Sequence, residues 1–180
     1  PIEEKESYRW LESYRASNEV ARELPDTHII NVSDREGDIY EIFLEASQSQ
    51  SEHRADWLIR ACRNRRLSDS DTKLKERVQQ LSKMCTVEFE LQRSDRGKAR
   101  QVTQVVRAGT VSLKPPRRKG QESLPEVEVN VVYCEEIKPP KGKEPVKWIL
   151  LTSVPINNAE TALNVIKWYL CRWQIEVFFK

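Results

Sequence analysis

Two acids in this 180-residue chain stand where carboxylates could work together. Asp34 ends a short β-prone run, His28-Ile29-Ile30-Asn31-Val32-Ser33, and Glu176 follows Tyr169 by seven residues and Arg172 by four in a helical stretch. In open α/β sheets, functional groups gather at the carboxyl ends of strands. A carboxylate there and another on a packed helix can hold a hard cation such as Mg²⁺, which takes oxygen ligands and retains waters for chemistry. Two such ions about 3.5–4 Å apart activate an attacking oxygen and stabilise a leaving one in phosphodiester displacement.

The helical stretch gives Glu176 a particular setting. At about 100° per residue, Tyr169, Arg172 and Glu176 fall within about 60° of one another and form a polar seam. On one side runs an apolar stripe, Ala159, Leu163, Ile166, Leu170, Trp173 and Val177, and on the other lie Trp168, Cys171, Ile175 and Phe179. A seam between two apolar surfaces is not expected to lie fully in solvent, and burying a carboxylate costs several kcal/mol unless it is paired, hydrogen-bonded or metal-bound. The plain alternative is a local Arg172–Glu176 pair at i, i+4, worth about 0.3–0.5 kcal/mol on an open helix face. That alternative makes the chain a structural α/β domain and predicts Asp34 and Glu176 far apart.

The elements that must position these acids are legible from apolar spacing. A helix is expected over about Glu4–Glu23, ended by Pro25 and Asp26. The strand ending at Asp34 is followed by a helix carrying Ile39, Phe43 and Leu44 to about Ser47, and then by a second strand, Trp57–Cys62. Strand, helix and strand in so short a span predict a parallel βαβ unit. Residues 63–145 read as a mainly antiparallel insertion: a helical piece over Thr72–Met84, then strands at Thr86–Leu91, Val102–Val106, Thr110–Leu113 and Val127–Tyr133. The α/β pattern resumes over 146–180 with a strand, Lys147–Ser153, and a helix starting at Asn157, with Glu160 three residues on as a capping partner. Residues 1–62 would supply the rest of the core.

Composition bounds the class. Hydrophobic residues are 38% and charged residues 32%, with 5 Gly, which describes a polar-surfaced globular protein rather than a disordered or fibrous one. The longest apolar runs are four residues, as in Trp148–Leu151, far short of a membrane span. With no secretory segment in view either, a cytoplasmic location is expected. Cys62, Cys85, Cys134 and Cys171, like His28 and His53, are isolated, which argues against a zinc site or a disulfide framework. Net charge is only +2, but from Arg93 to Lys119 there are nine Lys or Arg and a single acid, Asp95. With Arg60, Arg63, Arg65 and Arg66 these form basic stretches that could meet a phosphate backbone, or simply be solvated loops and strand faces.

Three stretches together are more specific. Asp34-Arg35-Glu36-Gly37-Asp38-Ile39, Glu135-Glu136-Ile137-Lys138-Pro139-Pro140-Lys141-Gly142 leading to Lys147-Trp148-Ile149-Leu150-Leu151-Thr152-Ser153, and Tyr169-Leu170-Cys171-Arg172-Trp173-Gln174-Ile175-Glu176 resemble, in this order, the DDE transposases of the insertion-sequence-four family, near its Tn-five-like members. The resemblance spans nearly the whole chain. It implies a ribonuclease-H-like catalytic core with a β-rich insertion, and bacterial cut-and-paste transposition in which cleavage of transposon-end DNA is followed by strand transfer. It implies catalysis with Mg²⁺ or Mn²⁺, two ions in all, acting on double-stranded DNA within a protein homodimer that bridges two ends.

Residue by residue, the resemblance assigns Asp34 to the second metal-binding aspartate of the triad and Glu176 to its glutamate. Tyr169 and Arg172 match the family's Y-R-E-K pattern, whose implied role is gripping phosphate near the transposon end. Trp148 matches a residue on which a flipped end base stacks, and Arg60 a DNA-contacting arginine; without the resemblance, Trp148 reads as an ordinary core residue and Arg60 as a strand arginine paired to an acid. The first triad aspartate would precede Pro1 and the pattern's lysine would follow Lys180, so the chain is expected to be an internal fragment, inactive alone. A non-catalytic DNA-binding module, or an inactive transposase remnant, is the other expectation.

Overall fold

The computed structural model of the chain describes residues 7–91, 99–117 and 124–178, the side chains of 173–178 excepted. Helix α1 (Tyr8–Glu23) places Leu11, Tyr14 and Ala21 on one buried face and leaves its charged residues outside. Strand β1 (Ile30–Ser33) leads through Asp34 into a 3₁₀ turn, Arg35–Gly37, and then helix α2 (Tyr40–Gln48). Strand β2 (Asp56–Arg60) returns parallel to β1, with Ile30 opposite Asp56 and Ser33 opposite Ile59. The βαβ unit expected from the sequence is therefore present, with α2 as its crossover.

The expected helix over Thr72–Met84 is much shorter. Only α3 (Leu74–Arg77) and a 3₁₀ turn, Val78–Gln80, are helical, and β3 already begins at Lys83 (Lys83–Leu91). Leu74, Val78 and Leu81 do have helical apolar spacing and are buried, but Lys83 and Cys85 pair with Arg107 and Val106 across an irregular register, which ends the helix early. The strands expected at Val102–Val106 and Thr110–Leu113 are one strand, β4 (Arg100–Leu113). Gly109 marks no turn. A Cβ there would fall 2.8 Å from a methyl of Leu81, so the glycine serves close approach in mid-strand.

Strands β5 (Val127–Glu136) and β6 (Lys147–Thr152) complete a single six-stranded open sheet in the order β1-β2-β6-β5-β4-β3, antiparallel except for the β1–β2 pair. The strands of 63–145 thus continue the sheet that carries Asp34. Alternation along each strand feeds two cores. Trp57, Ile59, Val129, Val131, Tyr133 and Leu151 face α1, α2 and α3, with the Phe43 and Trp57 rings 4.7 Å apart. Leu58, Val106, Val132, Cys134, Trp148 and Leu150 face the long helix α4 (Ala159–Phe178) on the other side. Each fully buried large apolar side chain contributes about 1.5–3 kcal/mol. No helix among the described residues is long and apolar enough to cross a membrane.

Helix α4 starts one residue later than its sequence pattern indicates: Asn158 Oδ1 accepts from the Thr161 amide at 2.9 Å, which makes Asn158 the cap. Its buried face is also rotated. Ala162, Val165, Ile166 and Tyr169 are 0–1% exposed, whereas Leu163 and Leu170 of the expected stripe are only partly buried. The reason is the small Ala162 and branched Val165, which let the helix cross the sheet in contact with β1, β3 and β5 along a line that passes through Tyr169.

The Glu135–Glu136 stretch has a structural role that can be tested by pH. Arg100 grips Glu136 with both terminal nitrogens, the Val146 amide donates to Glu136 Oε2 at 2.9 Å, and the carboxylate is 2% exposed. The Arg100 hydrogen bonds, opposed by burial and aided by the Val146 amide, hold this carboxyl below the usual range. A depressed folded value means that the stabilisation is complete above the unfolded carboxylate pKa, about 4.3, and is lost as pH falls through the folded value. Glu136→Gln is expected to cost about 1–3 kcal/mol at neutral pH. In urea titrations the gap from the parent protein should close as pH is lowered below the ordinary carboxylate range; a gap independent of pH would refute the assignment.

Candidate active site and basic cleft

Asp34 leaves the carboxyl end of β1 in an extended conformation and caps the 3₁₀ turn, its Oδ1 accepting the Arg35 amide at 2.7 Å. The turn is tight because Gly37 packs on Ser33; a Cβ at Gly37 would overlap the Ser33 hydroxyl. This geometry leaves the Asp34 side chain 38% exposed at the rim of the sheet.

Helix α4 brings the second half of the site. Trp168 meets the His28 ring edge-on at 5.7 Å, and one turn later Arg172 Nη2 stands 3.4 Å from Asp34 Oδ2. The Arg172 guanidinium is 19% exposed and lies 5.5 Å from the centre of the Tyr169 ring. Sequence distance concealed this pairing of Asp34 with Arg172, which gives Arg172 a partner outside its own helix. Glu176 stands on α4 one further turn along, about 6 Å of rise beyond Arg172; its side chain lies outside the described residues.

The two aromatic residues assigned by resemblance are inside the protein. Trp148 is 2% exposed and sits between Phe89, at 5.2 Å, and Tyr169, at 5.6 Å. For a base to stack on this indole, Phe89 or Tyr169 would have to give way. Tyr169 is 0% exposed, so its ring belongs to the core stripe of α4 rather than to a polar seam, and its hydroxyl has no hydrogen-bond partner among the described residues. In this arrangement it cannot reach a phosphate in solvent.

Arg60 ends β2 on the wall of a cleft of about 410 Å³ whose other polar walls are Arg35, Lys75, Gln79, Tyr133 and Lys147. Lys147 is paired to Glu135 at 2.7 Å, and Glu135 also accepts the Tyr133 hydroxyl at 3.0 Å. These contacts, Lys147 foremost, hold the Glu135 carboxyl below its usual range, while burial and the neighbouring Glu135 push the Tyr133 phenol up, so it stays protonated at neutral pH. Among the described residues no carboxylate pairs with Arg35, Arg60 or Lys75. Arg35 was visible in the motif beside Asp34; Lys75 and Gln79 carry no sequence signal, since only the fold of α3 over the sheet brings them here. A second basic cleft of about 650 Å³ lies between Arg63, Arg66, Lys114 and Arg117.

The donor chemistry at Asp34 suits a hard divalent cation: a partly exposed carboxylate oxygen at a strand end. Among the described residues no three His, Cys, Asp or Glu side chains gather into one cluster. No family model matches the chain.

Proposed function

We propose that this chain is part of the ribonuclease-H-like catalytic core of a metal-dependent DNA transposase of the insertion-sequence-four kind. The observation that carries the reading is the convergence at one sheet rim of Asp34, Arg172 and the cleft of Arg35, Arg60, Lys75 and Lys147. An acid beside guanidinium groups able to grip phosphate is what hydrolysis of a polyanionic backbone needs. Motif order along the chain supports the same reading.

In this proposal Asp34 and Glu176 hold Mg²⁺ or Mn²⁺, with a further aspartate supplied by flanking sequence. The bound cations would supply Lewis-acid activation of a phosphodiester and of the attacking water or 3′-hydroxyl. Arg172 turns from Asp34 towards the phosphate being cut, Arg60 and Arg35 grip the backbone next to it, and Asp34 keeps its orientation through the Arg35 amide. The partner is double-stranded DNA, transposon end and target, in a synaptic homodimer in the bacterial cytoplasm.

The test uses the polypeptide with its natural flanking sequence, a duplex bearing the element's end, and Mg²⁺. Cleavage at the element boundary is expected, and Arg60→Ala should weaken duplex binding while lowering the slope of log affinity against log salt by about 1. Duplex binding without any cleavage would favour a second reading, a non-catalytic DNA-binding module, for which the cations lining both clefts are sufficient. An unchanged salt slope would remove Arg60 from the interface.

A further inference from the structure

Four residues after Asp34 stands another acid, to which the proposed chemistry gives no role. The Asp38 side chain is 0% exposed and every lone-pair direction is used. Oδ1 accepts from Arg65 Nε at 3.0 Å and from Arg65 Nη2; Oδ2 accepts the amides of Cys62 at 2.8 Å and Arg63 at 2.9 Å. Arg65 Nη2 also donates to the Asp38 carbonyl at 2.9 Å, and its guanidinium lies over the rings of Tyr40 and Phe43, 5.9 and 5.2 Å from their centres. Both ends of the pair are thus enclosed, Arg65 at 7% exposure.

A buried ion pair of this kind gives little net stability over a well-packed apolar pair of the same volume, and its best-attested use is to set register. What it registers follows from its partners. Asp38 closes the turn that Asp34 opens: the Gly37 amide donates to the Asp34 carbonyl at 3.0 Å and the Asp38 amide to the Arg35 carbonyl at 3.2 Å. Cys62 and Arg63 follow Arg60 with only Ala61 between. One carboxylate therefore locks the Asp34 turn to the segment that leaves Arg60, and Arg65 locks the carboxylate.

We infer that Asp38, held by Arg65, is a positioning residue that sets where the Asp34 carboxylate stands relative to Arg60 and the basic cleft. The inference rests on the transposase reading for its effect on catalysis, but not for its effect on the turn. Ser33–Ile59 pairing positions Asp34 from the strand side, and Asp38 does so from the turn side, so the loop is held at both ends.

The test compares the protein carrying its natural flanking sequence with its Asp38→Leu/Arg65→Met double variant, which replaces the charges by apolar groups of similar bulk. The variant should keep a thermal midpoint near the parent's and an unchanged KM for end DNA, while kcat for cleavage falls about 10²-fold, the scale of an ångström-level misplacement. Amide exchange at Gly37, Asp38, Cys62 and Arg63 should accelerate, with that of Val129–Val132 unchanged. A stable double variant that cleaves at the parent rate overturns the inference and leaves the transposase reading standing. If the parent itself does not cleave, the transposase reading falls, and amide exchange alone decides the clamp: faster exchange at those four positions upholds it and unchanged exchange overturns it. Should the double variant fail to fold, Asp38→Asn, which keeps an acceptor for the two amides and loses the ion pair, must show the same split of kcat from KM and the same local exchange; absence of both overturns the inference.

Discussion

Glu176→Ala and Asp34→Asn, each made in the protein with its natural flanking sequence, are expected to lower end-DNA cleavage by roughly 10³-fold or more, several kcal/mol of transition-state stabilisation. Binding to the same DNA should remain within a few-fold of the parent. Asparagine is the informative replacement at position 34. Its amide oxygen can still accept the Arg35 amide that Asp34 Oδ1 now accepts, so the 3₁₀ turn survives while the charge facing Arg172 is lost. Glu176 stands on a helix anchored by Ala162, Val165, Ile166 and Tyr169, and truncation at 176 leaves those anchors untouched. Cleavage at near the parent rate in either variant would sink the two-metal reading; loss of DNA binding together with cleavage would point to a role for that acid in the fold instead.

The second large effect concerns stability. Trp148→Ala should destabilise the protein by about 3–5 kcal/mol, the usual cost of emptying a buried indole site. Natural domains have about 5–15 kcal/mol in total, so this variant should unfold at markedly lower urea concentration. Trp148 holds together the contact between α4 and the far strands, with Phe89 on one side and Tyr169 on the other. Trp148→Phe keeps an aromatic face and most of the volume and should cost well under half as much. A loss below about 1 kcal/mol for the alanine variant would mean that the indole is not packed as described. The same pair of variants separates packing from base stacking: if a flipped base uses this indole, Trp148→Phe should impair end-DNA cleavage while the fold stays intact.

How much of this was legible in the sequence depends on how local each cause is. The β1–α2–β2 unit is coded within thirty-odd residues by apolar runs and a turn, and it formed as expected. The helix expected to Met84 stopped early because pairing of Lys83 and Cys85 with β4, a contact made across the chain, overrode helical spacing. Gly109 resembled punctuation, yet its cause was a leucine from another segment. Tyr169 read as part of a polar seam because the burial axis of α4 is set by the sheet beneath it, which periodicity alone does not locate within about one residue. Asp34 and Arg172 were each singled out, but their contact was not readable, and neither were Lys75 and Gln79 as cleft residues. Asp38 was quoted only as part of a motif; its enclosure by Arg65 explains why an acid belongs there.

The sheet serves two cores at once, and that bears on modularity. The floor beneath α4 is laid partly by Val106, Ala108, Val132 and Cys134, all from the stretch that reads as an insertion. Such a stretch cannot behave as a removable cassette: excising it would strip support from the helix that bears Glu176. Among related proteins, its strands should tolerate exchange only when the residues beneath α4 change in concert, whereas its solvent-facing positions remain free to drift.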